Sequence, residues 1–163
     1  MASDAAAVKT TTLAAFGAAI AAGWAGAMTG IGLVAAPVVF DVLPRVDAGR
    51  VAARLFGAEA TIGLCVGAVL MVIGVQLGRE RAELGRGSRF GRELVLALCA
   101  LACVIVGYYA LQPLLEPARA GHGPLSFAAL HGFASLLFVA RIVLAALLAW
   151  QLGRSSINRP AIS

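Results

Sequence analysis

The sequence predicts an all-α, polytopic membrane protein built as a bundle of four transmembrane helices, and three observations predict it. Hydrophobic residues make up 61% of the 163, and about 72% are apolar once the 19 glycines are added and the 2 tyrosines removed, against ~45–50% in soluble domains. Only 13% are charged, where ~25% is usual, and the charges are bunched. The bunching leaves four stretches long enough for the ~20 apolar residues that a helix needs to cross a bilayer core. Together these exclude an ordinary soluble domain, and 163 residues leave no room for a separate catalytic module.

A tail over 1–12 precedes the first span, 13–40, which holds no ionisable side chain. The second span, about 55–77, is interrupted only by Glu59, and the third, 94–115, by none. The fourth, 125–152, contains His131 and Arg141, and 153–163 forms the second tail. Lipid offers no hydrogen-bond partners, so each segment must satisfy its own backbone. Continuous apolar runs of this length therefore read as helices and not as the alternating strands of a barrel. The first run is also too long for the ~7–15-residue apolar region of a secretory signal, and Asp4 and a single Lys9 replace the expected positive start.

Lysine and arginine set orientation. One side carries Lys9, Arg79, Arg81, Arg86, Arg89, Arg92, Arg154 and Arg159, and the other only Arg45, Arg50, Arg54 and Arg119. Both termini are thus expected in the cytoplasm. The net charge of +5 reflects these helix-end arginines and points to no nucleic acid. The lipid bilayer is the partner that composition implies, with a second copy or another membrane protein as a further expected one.

Helices in lipid approach through small residues one turn apart. Ala14, Ala18, Ala22, Gly26 and Gly30 make such a stripe on the first span, Gly63 and Gly67 on the second, and Cys99, Cys103 and Gly107 on the third. In that setting Cys65, Cys99 and Cys103 read as small, inert packing residues without a metal-binding spacing. Pro37 frees a carbonyl one turn earlier and should bend the first helix. Asp47 suits an N-cap for the second helix, which would then carry Arg50 and Arg54 on one face. Pro124 and Ser126 suit the first turn of the fourth.

Depth decides which polar groups can meet. Glu59 lies four residues before Gly63, on the packing face, within about two turns of the non-cytoplasmic end, and His131 falls at a similar depth on the fourth helix. Asp41 and Arg45 follow the Pro37 bend, while Tyr108, Tyr109 and Gln112 end the third helix. A polar cluster centred on Glu59, His131 and Arg54 is expected at the non-cytoplasmic end. Arg141, ten residues or ~15 Å beyond His131, needs a partner at mid-membrane. Glu59 reached by the long arginine, carbonyls near Pro37, or a polar cavity would each serve. Tyr108, Tyr109 and Trp150 read as interfacial belt residues, and His122 as a solvated loop residue.

The stretch Gly23-Trp24-Ala25-Gly26, then GLVAAPVVFDVLPRVDAGRVAARLF from Gly32 to Phe56 and FAALHGFASLLF from Phe127 to Phe138, resembles the transmembrane protein 205-like family. The matching features are Ala36 to Phe40 closing helix one, Ala48 to Phe56 opening helix two, and Leu130 to Ser135 opening helix four, the serine being displaced by one. The resemblance implies a four-helix domain in a bacterial inner membrane with no established enzymatic activity. A fainter similarity, through the tryptophan of helix one and a lone helix histidine, points to small membrane proteins handling copper or haem.

The leading expectation is a non-enzymatic binding or accessory protein without cofactor. A haem- or copper-binding protein using His131 and a small proton-coupled transporter subunit stay open as alternatives. His122 is the only other histidine that could complete a bis-histidine site, and four helices without repeats are few for a transporter.

Overall fold

The structure, a computed structural model, describes residues 2–85, 87–123 and 125–157. Arg86, Pro124 and Arg159, which entered the topology and helix-start readings, lie outside the described residues. Among the described residues four helices are long and apolar enough to cross a membrane: Val8–Val42, Arg45–Glu83, Arg92–Arg119 and Phe127–Ile157. Among the described residues there is no strand.

The first span comprises α1 (Ala2–Gly30), a π-helical turn at Ile31–Ala35, and α2 (Ala36–Val42). The second is the single helix α3 (Arg45–Glu83). The third comprises α4 (Arg92–Val104), a second π-helical turn at Ile105–Ala110, and α5 (Gln112–Arg119), and the fourth is α6 (Phe127–Ile157). Consecutive spans pack side by side and α6 closes the ring against α1, giving an up-down-up-down bundle.

Two boundaries differ from the sequence expectation. The second helix starts at Arg45, with Pro44 at its N-cap, so Asp47 is not the cap but sits in the first turn, paired with Arg50 at 3.5 Å. Proline fixes the extended-to-helix transition itself, ten residues before the apolar run begins. The third helix continues past Leu115 to Arg119, carrying Pro113 in its first α5 turn and Pro117 within. Ser126 does precede the fourth helix and accepts from the Ala129 backbone N–H at 3.2 Å.

The buried seams follow a spacing that alternates four and three. On the first span it runs through Thr10, Ala14, Gly17, Ala21, Trp24 and Met28, on α4 through Glu93, Ala97, Ala100 and Val104, and on α6 through Arg141, Ala145, Leu148 and Leu152. That is the seam of a left-handed, coiled-coil-like bundle. The expected small-residue stripe on the first span is therefore corrected: Ala22, Gly26 and Gly30 are exposed, and a Cβ on Gly26 or Gly30 would meet nothing within 4 Å. Four residues turn a helix by about 40° more than a full circle, so a strict every-fourth stripe walks off the contact face within a few turns. For the same reason Cys99 is exposed and not packed, and Cys65 is exposed as well.

Glycines do mediate contact elsewhere. A Cβ would lie 3.2 Å from Trp24 at Gly63, 2.9 Å from Leu101 at Gly67 and 3.3 Å from Leu137 at Gly107. The closest approach is lower on α3, where a Cβ on Gly74 would be 2.9 Å from the Leu94 Cα and one on Gly78 would overlap the Arg89 carbonyl oxygen. Just beyond, Arg81 grips Glu93 with both guanidinium arms, one at 2.9 Å. Glu93 is 4% exposed although it sits one residue outside the span expected from sequence. The Thr10 hydroxyl donates to Glu80 at the same end.

Gly78→Ala should lower stability by about 1–3 kcal/mol, because the new methyl meets backbone that cannot rotate away. Gly26→Ala should stay within about 0.5 kcal/mol of wild type. Thermal unfolding in detergent compares the two, and equal melting temperatures would refute the assignment of contact faces.

Candidate functional site

Glu59 is the fifteenth residue of α3 and Arg141 the fifteenth of α6, and both helices run inward from the same end of the bundle. Each residue thus lies ~21 Å along its helix. At that level the Arg141 Nη2 donates to Glu59 Oε2, and both side chains are at most 5% exposed. Direct pairing is therefore the arrangement adopted among those the sequence left open. The expectation that Glu59 shares a depth with His131 is corrected, since the early start of α3 carries Glu59 about ten residues deeper.

Trp24 completes the group. Its indole Nε1 donates to Glu59 Oε1 at 3.2 Å, and the missing side chain of Gly63 makes room for the ring. Arg141 also lies over two aromatic faces, 5.0 Å from the Phe138 ring centre and 5.9 Å from that of Trp24. Such contacts favour a desolvated cation by roughly 0.5–2 kcal/mol each. The Arg141 Nε is buried without a hydrogen-bond partner, and Nη1 is bonded to no protein group among the described residues.

From this ion pair a cavity of about 430 Å³ extends toward the α3 and α6 starts. Its lower wall includes Cys103 and Ile142, its middle Phe56, Tyr108, Ser135 and Phe138, and its upper part Phe40, Gln112, Arg119, Phe127 and His131. Phe56 and Phe138 meet edge to face at 5.2 Å. His131 stacks on Phe127 at 5.5 Å, and the Arg119 guanidinium lies over the same ring at 4.9 Å. Glycines again make space: a Cβ on Gly57 would fall 2.5 Å from the Tyr108 hydroxyl and one on Gly32 2.9 Å from Phe138. Leu33 and Val139 line the cavity and are also 73% and 55% exposed, so it reaches the apolar exterior between the first and fourth spans.

The two π-helical turns flank this space. Each ends on a wide bond, Ala36 N–H to Ile31 O and Leu111 N–H to Val106 O, shortly before Pro37 and Pro113. A proline has no N–H to offer the preceding turn, and widening that turn re-satisfies its carbonyls within lipid. The expected Pro37 bend is accordingly a π-bulge, with an unforeseen counterpart on the third span.

Of the residues expected to cluster, Glu59, Arg141 and His131 line one cavity, His131 at the outer end and hydrogen-bonded to neither of the other two. Arg54 is corrected out of the cluster: it is exposed and off the cavity, because five residues from Glu59 turn it about 140° away on the helix. Asp41 and Arg45 are likewise exposed beyond the cavity wall. Arg119 takes the place foreseen for Arg54. Tyr108, expected at the membrane interface, belongs to the wall, while Tyr109 and Trp150 stay on the exterior. Trp24 entered the sequence reading only through the two resemblances, with no role beside Glu59, and Arg119 gave no signal until the third helix was known to continue. Among the described residues no three of His, Cys, Asp and Glu come together as a metal site would require.

The chain belongs to the family described as "Domain of unknown function (DUF4149)", whose model matches residues 19–124, about two thirds of the length. The matched part carries Trp24, Glu59, Tyr108 and Arg119, and ends before α6 with Arg141 and His131. Neither the curated proteins nor the solved structures provide a match.

Glu59→Gln should destabilise the bundle by about 3–5 kcal/mol, since it leaves Arg141 charged and uncompensated. The double variant Glu59→Leu with Arg141→Met should recover most of that loss. Denaturant titration in mixed micelles measures both, and equal effects for the single and double changes would show that the pair is not coupled.

Proposed function

We propose that this family member is a non-enzymatic binding protein of a bacterial inner membrane, with both termini in the cytoplasm and its cavity opening in the non-cytoplasmic half. The observation that carries the reading is the cavity itself: its floor is a balanced ion pair, its walls are aromatic, and part of its rim is lipid-facing. Ligand sites are concave, mostly apolar and furnished with a few polar groups, at volumes of ~300–1,000 Å³. The stacking of His131 on Phe127 favours a role at the mouth over ligation of haem or copper. The likeness to the transmembrane protein 205-like family supports the membrane setting. No cofactor is needed for this role, and the bilayer is the medium from which a ligand would come.

Ala134→Phe places a ring in the cavity without touching the ion pair. Native mass spectrometry of protein released from lipid nanodiscs should show a small-molecule adduct on the wild type and none on this variant. Identical spectra would refute a binding role for the cavity. With the three native cysteines replaced by Ala, His122→Cys should react with a membrane-impermeant maleimide on whole cells and Ser88→Cys only after lysis. The opposite pattern would invert the orientation.

A further inference from the structure

The unsatisfied Nε of Arg141 narrows the ligand class. Arg141 lines the cavity, is 4% exposed, gives one guanidinium arm to Glu59, and leaves its buried Nε and its second arm without an acceptor. An unmade hydrogen bond at a buried charged donor is costly, so a binding partner with an oxygen acceptor gains there.

Charge decides the rest. An anionic ligand would compete with Glu59 for Arg141, and a cation would compete with Arg141 for Glu59. Either would strip a buried charge of its partner in a medium of low dielectric. A neutral acceptor leaves the pair intact. The walls add shape: Phe40, Phe56, Tyr108 and Phe138 present ring faces and edges suited to a flat, unsaturated ring. The exposed wall residues Leu33 and Val139 give an apolar tail a route between the first and fourth spans into the acyl chains.

Resting on the binding role of this cavity, we infer that its ligand is a neutral, lipophilic ring carbonyl compound of the benzoquinone type, whose carbonyl oxygen accepts a hydrogen bond from Arg141 and whose tail leaves laterally.

Trp24 sits at the floor and Trp150 at the opposite end of the bundle, so Trp150→Phe leaves a single reporter beside the site. In phosphatidylcholine nanodiscs, decyl-benzoquinone should quench Trp24 saturably. Arg141→Lys keeps a charge for Glu59 but removes the Nε donor, and should weaken this binding about tenfold, the loss of one hydrogen bond to a charged group. Ala134→Phe, which leaves the floor untouched, should abolish it. Oleate, an alkyl trimethylammonium and dioleoylglycerol should fail to compete. Linear, unsaturable quenching, or equal affinity in a folded Arg141→Lys protein, would overturn the inference. Displacement by oleate or dioleoylglycerol would overturn the ligand class while leaving the cavity a binding site. Undiminished saturable quenching in Ala134→Phe would overturn the binding role along with it. Should Arg141→Lys fail to fold, the competition series and Ala134→Phe decide the matter alone.

Discussion

A carboxylate and a guanidinium at mid-membrane have few ways to be accommodated, and the joining of Glu59 to Arg141 dictates much of this bundle. Each alone would cost on the order of 3 kcal/mol or more to insert. Joined, they fix the relative height and rotation of α3 and α6, because both must present their fifteenth residue to the same point. Trp24 adds the first helix to that point, and Gly63 is bare so that the indole can reach it. The four-three seams then fill with Ala, Leu and Ile below this level. The pair acts less as a source of net stability than as a register mark, the best-attested use of buried polar groups.

Above the pair the same seams come apart. Ala134, Phe138 and His131 continue the α6 seam toward the outer end, but there they line the cavity, Phe138 packed on Phe56 and His131 on Phe127 at its wall. The cause lies in the first and third spans, where each π-helical turn inserts extra backbone before a proline and shifts the phase of everything beyond it. Residues that would have kept the seam closed are turned aside. The lower half is consequently a packed bundle and the upper half a lined chamber, from one continuous set of helices. At the other end Arg81 and Glu93 pin the turn between α3 and α4, with Gly78 letting the loop carbonyl press against the helix.

Fold class and span count were legible in the sequence because lipid imposes a composition on every spanning residue. The importance of Glu59 and Arg141 was legible for the same reason, as rare charges in apolar runs. Their pairing was not, since it depended on where α3 begins, and Pro44 set that start outside the apolar window. The misplacement of Gly26 and Gly30 came from reading small residues at a spacing of four, when the helix honours an average of 3.5. Arg54 and Arg119 exchanged roles because rotation about the helix axis and the length of the third helix are both properties of backbone geometry, which hydropathy does not record. Gly74 and Gly78 were overlooked for a related reason: their partner is loop backbone, and no side-chain pattern announces it.

The separation of the ion pair along the chain, 82 residues, has a consequence for biogenesis. At a synthesis rate of ~5–20 residues per second, the carboxylate of the second helix waits on the order of 4–16 s for the guanidinium of the fourth. During that interval Trp24, already made, can donate to it, and the first two helices can associate as a hairpin with a polar group still under-satisfied. The arrival of α6 ends the wait and closes the ring. A chain truncated before residue 141 would carry an unmatched acid inside the membrane, the kind of flaw by which a quality-control protease could distinguish an unfinished bundle from a complete one.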